Sequence, residues 1–132
     1  MYDCRSFVAA HANEFRGGGV ESASRYGVRS VEFAGLRNVH YVRRVLLKIR
    51  HTPSHLALSV GQAGRWLMLQ SQLLRAATRV GRLLEQGTTV LLHCSDGWDR
   101  TPQVSGPRLT HPLTHSARTR HGTRGSLSLI HI

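Results

Sequence analysis

Apolar positions recur along this chain with two kinds of spacing, and each predicts its own element. Val39, Val42, Leu46 and Ile49 stand at helical intervals, with Arg43, Arg44, Lys48 and Arg50 mostly on other faces. They predict an amphipathic helix, with Asn38 as its N-cap and a basic last turn that suits the dipole. Trp66, Leu69, Leu73, Ala77, Val80 and Leu84 repeat the pattern. They predict a second helix from Arg65 to Glu85, ended by Gln86-Gly87, with Arg65, Arg75, Arg79 and Arg82 as a solvated face. Val28 to Leu36 is rich in β-branched and aromatic residues and reads as a strand, with Val31 and Phe33 on one face. Thr89 to Leu92 is a short apolar run and reads as another strand.

The stretches between are less patterned. Val8 to Asn13 reads equally as a short helix or an irregular segment. Gly17-Gly18-Gly19 follows; three glycines permit close backbone approach, but composition favours a plain linker. Residues 51–62, with Pro53 and Gly61, read as a connection. Residues 102–132 hold no acid and no aromatic, and no apolar period appears until Leu127-Ser128-Leu129-Ile130. Such a segment buries too little surface to offset its ordering entropy, which predicts a disordered tail. His111, His115 and His121 lie there without a partnering Cys or acid, so no metal site is expected.

Composition narrows the function. A chain of 132 residues suits one domain. Its net charge of +11 favours anionic partners: nucleic acid, phosphoinositides or an acidic membrane surface. Aromatics are only 6% of the residues, which argues against a base-stacking platform, and no nucleic-acid recognition motif is present. Two cysteines, Cys4 and Cys94, make no disulfide framework, and a reactive Cys94 needs a reducing compartment. No run approaches the ~18 apolar residues of a membrane span, and Met1 to Arg5 lacks the apolar core of a signal peptide. The expectation is a soluble intracellular protein.

The chemistry concentrates in His93-Cys94-Ser95-Asp96-Gly97-Trp98-Asp99-Arg100-Thr101, directly after the second strand. Cysteine at a strand end is usually a small hydrophobe. Here an arginine follows at the sixth position, then a hydroxyl residue. That spacing suits a cysteine-dependent phosphatase: backbone N–H groups of a tight loop form an anion nest, and the arginine fork matches two phosphate oxygens. In that field the thiol, ordinarily at about 8.5, ionises near neutral pH and becomes a nucleophile. Thr101 is placed to hydrogen-bond the thiolate. Asp96 and Asp99 are unusual, because carboxylates repel a phosphate. One of them as general acid and the other as acceptor for hydroxyls beside the phosphate would explain the pair; helix capping is the plainer alternative. Adjacent hydroxyls point to a sugar or inositol headgroup rather than to tyrosine.

This loop resembles the active-site signature of the myotubularin family of phosphoinositide phosphatases. Asp3-Cys4-Arg5 resembles the family's Asp-Ala-Arg, and Asn13 with Gly17-Gly18-Gly19 and Glu21 resembles its Ala-Asn-x-x-x-Gly-Gly-Gly-x-Glu. Asn38-Val39-His40 resembles its Asn-Ile-His, Trp66-Leu67 its Trp-Leu, and Thr101-Pro102-Gln103 its FYVE-containing subgroup. The resemblance covers residues 1–104. It implies a partial α/β cysteine-dependent phosphatase domain, with a central sheet and flanking helices. It also implies removal of the 3-phosphate from phosphatidylinositol 3-phosphate and 3,5-bisphosphate through a phosphocysteine, without metal or cofactor. Cys94 would be the nucleophile, Arg100 the phosphate ligand and Asp99 the acid. Asn13, Asn38, Val39, Ser95, Asp96, Gly97 and Trp98 would contact the headgroup, beside Asp99 and Arg100. A cytoplasmic enzyme peripheral to endosomal or other internal acidic membranes, and a homo- or hetero-dimer, are further implications.

After Val104 the resemblance stops, where the family continues with an apolar helix behind the loop. The expected division is therefore 1–104 as partial domain and 105–132 as tail, as if the reading frame ran into foreign sequence. Three readings compete: an active lipid phosphatase, a protein phosphatase of the broader Cys-x5-Arg class, and a truncated inactive fragment. Asp96 and Asp99 disfavour the second. A loop without its supporting helix favours the third for the isolated chain.

Overall fold

In the computed structural model, residues 1–12, 19–52, 60–109 and 127–129 are described, with backbone only at 60, 107–109 and 127–129. Four parallel strands form one sheet in the order β2-β1-β3-β4. They are β1 (Tyr2–Asp3), β2 (Glu32–Phe33), β3 (Val90–His93) and β4 (Leu127–Leu129). Tyr2 and Asp3 pair with Glu32 and Phe33 on one side and with Leu92 and His93 on the other. The helices α1 (Phe7–Ala12), α2 (Val39–Arg50), α3 (Val60–Glu85) and α4 (Arg100–Leu109) fall between successive strands, as parallel pairing requires. The chain thus leaves β1 toward β2 and leaves β3 toward β4, in opposite directions. The reversal point lies between the carboxyl ends of β1 and β3, where open α/β sheets place their ligands.

The core is small. Tyr2, Cys4, Leu36, Ala76, Ala77, Val80, Val90, Leu92, Cys94 and Val104 are its buried members. The stripe expected on α3 is the one that turns inward: Leu69, Ala77 and Val80 are buried, and Arg65, Arg75, Arg79 and Arg82 are exposed. On α2 the inward residue is Val45, while Val39 and Leu46 are exposed, so the face predicted there is rotated. Asn38 caps this helix as expected, its side-chain oxygen accepting from Tyr41 N–H at 2.9 Å. The guanidinium of Arg79 donates to both carboxylate oxygens of Glu32, joining α3 to β2 at the surface. Exposure holds the worth of that pair to about 1 kcal/mol or less.

Several expected boundaries move. The strand expected over Val28 to Leu36 forms a ladder only at Glu32–Phe33. Residues 23–27 turn, with Val28 N–H on Ala23 C=O, and Gly35 takes a φ of 70° that ends the ladder. Helix α3 starts at Val60 rather than Arg65, taking in Gly61 and Gly64 despite their helix cost of about 1 kcal/mol each. Residues 7–12 settle as helix. The disordered tail is corrected at two places. Helix α4 runs through Val104 to Leu109, with Val104 and Ser105 buried, and Leu127–Leu129 pairs with Val90–Leu92. Burial of Val104 against the core explains the first, and β-pairing that needs no side-chain pattern explains the second. Asn13, His111, His115 and His121 lie outside the described residues.

Leu92 is fully buried in the central strand pair, whereas Leu67 is 65% exposed on α3. Replacing Leu92 by Ala should lower unfolding free energy by about 2–5 kcal/mol. Leu67→Ala should change it by less than about 0.5 kcal/mol. Urea denaturation followed by far-ultraviolet circular dichroism checks both.

Candidate active site

The site begins where β3 ends. His93 is the last paired residue, and its carbonyl accepts Cys4 N–H at 2.8 Å. Cys94 follows, 3% exposed, and the chain then turns through Ser95 to Asp99 before α4 starts at Arg100. Gly97 makes the turn possible with a φ of 74°, a region where a Cβ is strained. That conformation aims Gly97 N–H at the Cys94 sulfur, 3.2 Å away. Arg100 folds back and donates to Ser95 Oγ at 2.9 Å, closing the loop from its other end. Thr101, one residue into α4, is buried against the sulfur.

The balance at Cys94 decides whether the loop is chemically competent. Burial alone raises the thiol pKa. The Thr101 side chain and N–H, the Gly97 N–H and the Arg100 charge together outweigh that burial, and the pKa falls below the ordinary thiol value. No protein oxygen accepts from Thr101 Oγ1, so its proton is available to the sulfur. The Cys4 thiol, fully buried beside the same loop, goes the opposite way. Burial, then the charge of Cys94, push it up to about 12.

Behind the loop lies a charged support that the residue pattern did not reveal. Arg5 clasps Asp3 with Nε at 3.0 and 2.9 Å and a terminal nitrogen at 2.7 Å, and both are buried. The same terminal nitrogen donates to Gly19 C=O at 2.9 Å. Asp3 also accepts from Arg5 N–H and stands 3.9 Å from His93 Nε2, while His93 Nδ1 contacts Cys94 C=O at 3.2 Å. The guanidinium fork thus ties the glycine-rich segment to β1, and β1 to the strand that delivers Cys94. The resemblance had flagged Asp3 and Arg5 only as a sequence match; an acid and an arginine two apart at a strand end were the signal.

The expected site residues divide into two groups. Cys94, Ser95, Gly97, Arg100 and Thr101 are in mutual contact. Asp96, Trp98 and Asp99 are exposed on the same loop, Trp98 at 76%. Asp99 also starts α4, its carbonyl accepting Gln103 N–H, so its carboxylate stands at the positive helix end. Asn38 and Val39 come after β2 in the chain and are exposed. Asn38 Oδ1 is engaged in its cap, leaving the amide nitrogen for other work.

A parallel sheet with a buried cysteine at a strand end, an arginine six residues beyond and a helix behind them has the layout of a phosphatase domain. The sequence pattern described as the myotubularin-like phosphatase domain matches residues 1–122, and the chain belongs to that family. It is 40% identical over 110 residues to human phosphatidylinositol-3,5-bisphosphate 3-phosphatase MTMR4, covering 79% of this chain and 9% of that protein. It is 41% identical over 110 residues to the Caenorhabditis elegans phosphatidylinositol-3,5-bisphosphate 3-phosphatase MTMR3, covering 80% and 11%. Rat myotubularin is 37% identical over 111 residues, covering 80% and 18%. The chain therefore spans a small part of these relatives' length.

A lowered Cys94 pKa sets a sign. The folded value lies below that of the unfolded thiol. Its stabilisation is therefore fully present above the unfolded pKa and is lost as pH falls through the folded value. Alkylation by iodoacetamide should show Cys94 reacting with an inflection below that of a free thiol, with Cys4 unlabelled. Thr101→Val should move the inflection upward; peptide mapping after timed alkylation reads both.

Proposed function

We propose that this domain is a phosphoinositide 3-phosphatase that works through a phosphocysteine intermediate. The observation that carries the reading is the Cys94 sulfur, with Gly97 N–H 3.2 Å away and Thr101 and Arg100 at the start of α4 lowering its pKa. The names of the human and nematode relatives support the substrate class, phosphatidylinositol 3,5-bisphosphate. The monophosphate shares the reacting group.

A phosphate dianion entering the loop takes the Arg100 fork from Ser95 and spans the guanidinium bidentately. The thiolate attacks phosphorus, and the bond from phosphorus to the inositol 3-oxygen breaks. Asp99 gives its proton to the departing oxygen. Water then attacks the phosphocysteine and inorganic phosphate leaves. The Thr101 hydroxyl and Gly97 N–H take up the charge that returns to sulfur. Asp96 accepts from neighbouring ring hydroxyls, and Trp98 meets the headgroup from outside. Asn38 and Val39 complete the rim in this reading, and the family resemblance adds Asn13 as a headgroup contact. The net charge of +11 draws the domain toward anionic membrane, where such headgroups lie.

The second reading, a truncated inactive fragment, draws on how little of the relatives' length the chain spans. Against it stands α4, which packs on α3 and β3 and supplies the loop with the helix that reading lacked.

Phosphate release from short-chain phosphatidylinositol 3-phosphate and 3,5-bisphosphate, measured beside a phosphotyrosine peptide, tests the proposal. Lipid turnover should exceed peptide turnover, and Cys94→Ser should abolish it. Arg100→Lys, which keeps the charge and loses the fork, should lower turnover by about 10²–10³-fold. Peptide preference, or turnover that survives Cys94→Ser, would overturn it.

A further inference from the structure

Cys4 and Cys94 are the chain's two cysteines, and both sit in one buried cluster. The last paired residues of β1 and β3 are Asp3 and His93, so the two cysteines are the next residues of neighbouring parallel strands. The bond from Cys4 N–H to His93 C=O carries the pairing past that point. Neighbouring strands run about 4.8 Å apart, inside the Cα separation of about 4.4–6.8 Å that a disulfide spans. Residues opposite one another in parallel strands point to the same face, and the Thr101 hydroxyl lies against both sulfurs.

We infer that Cys4 is a resolving thiol, which captures oxidised Cys94 as a Cys4–Cys94 disulfide and so makes oxidation of the site reversible. The oxidant is a hydroperoxide. The Cys94 thiolate attacks its terminal oxygen, the O–O bond breaks, and Cys94 becomes a sulfenic acid. For hydrogen peroxide the other product is hydroxide. The Cys4 sulfur then attacks the Cys94 sulfur, the S–O bond breaks, and the Cys4 proton leaves with the oxygen as water. Cys94 is oxidised by two electrons and the peroxide is reduced by two. Two thiols of an external reductant reverse the change.

The charges order these steps. Burial holds the Cys4 proton most strongly, and a charge on Cys94 adds to it. A sulfenic acid is neutral. Oxidation thus removes the Cys94 contribution at the moment Cys4 is needed, while burial remains. Without a resolving partner a sulfenic acid proceeds to sulfinic and sulfonic acids, which thiols do not reverse. Cys4→Ala removes only the sulfur from this position and serves as the control variant.

The inference takes Cys94 as the reactive thiol of the proposed phosphatase, but its first readout needs no turnover. The whole chain is treated with a small excess of hydrogen peroxide, excess thiol is blocked, and peptides are mapped without reduction. A cross-linked pair containing Cys4 and Cys94, two hydrogens lighter than the separate peptides, is expected. Dithiothreitol should release it. Sulfinic or sulfonic acid at Cys94 with Cys4 free, a cyclic sulfenamide at Ser95, or two unoxidised thiols would each overturn the inference. In the activity arm, wild type should regain most of its lipid turnover after dithiothreitol and Cys4→Ala little. Equal recovery in the two would also overturn it. Absent turnover in untreated wild type would count against the phosphatase reading alone.

Discussion

The pairing of β1 with β3 is the constraint on which the rest depends. Residues from the first turn of the chain lie hydrogen-bonded beside residues some ninety positions later, Tyr2 with Leu92 and Asp3 with His93. This one contact fixes where β3 ends, and therefore where Cys94 leaves the sheet. It also brings Asp3, Cys4 and Arg5 beneath the loop. A buried carboxylate tolerates that position because the Arg5 fork satisfies it with three side-chain contacts of 3.0 Å or less. Deleting one partner of such a pair leaves an uncompensated buried charge, which is far more costly than the pair is stabilising. The clasp therefore acts chiefly to specify register and to hold the Gly19 carbonyl in place.

At the thiol itself two effects compete, and their sizes decide the chemistry. Desolvation is the largest single influence on both cysteines and raises both. Only Cys94 has enough donors to reverse it. One residue along the neighbouring strand, Cys4 has the weaker help of Thr101 and Arg100, faces Asp3, and stays a thiol. Two chemically identical side chains thus shift in opposite directions in one cluster, because the loop's donors converge on one sulfur.

The helices were legible because 3.6-residue periodicity needs only local information. The α3 stripe through Leu69, Ala77 and Val80 was readable in full, and so was the Asn38 cap. The sheet was less so. Strands of two residues, such as β1 and β2, are too short to show alternation, and their existence depends on partners far along the chain. The start of α3 was hidden by Gly61 and Gly64, whose propensity argues against helix. The loop from Cys94 to Thr101 stood out in the sequence as a candidate site, since its spacing suits the chemistry directly. Its support was not, because a buried Asp3–Arg5 pair looks in sequence like two surface charges. Helix α4 was missed past Val104 for a related reason. Pro102 and Gly106 suppress the helical signal, yet Pro102 lies in the first turn, where a missing N–H is tolerated, and buried Val104 anchors the rest.

The buried Thr101 hydroxyl at this edge has no oxygen acceptor and lies against the Cys94 sulfur, a weak acceptor until it ionises. A buried hydroxyl so weakly satisfied costs up to about 1–3 kcal/mol, a large fraction of a small domain's stability. A core selected for stability alone would replace Thr101 by Val, which has the same shape and no hydroxyl. The hydroxyl becomes favourable only when a negative charge is on the sulfur beside it. Carrying that weakly satisfied donor into the folded state is what a loop organised in advance for charge on the sulfur requires.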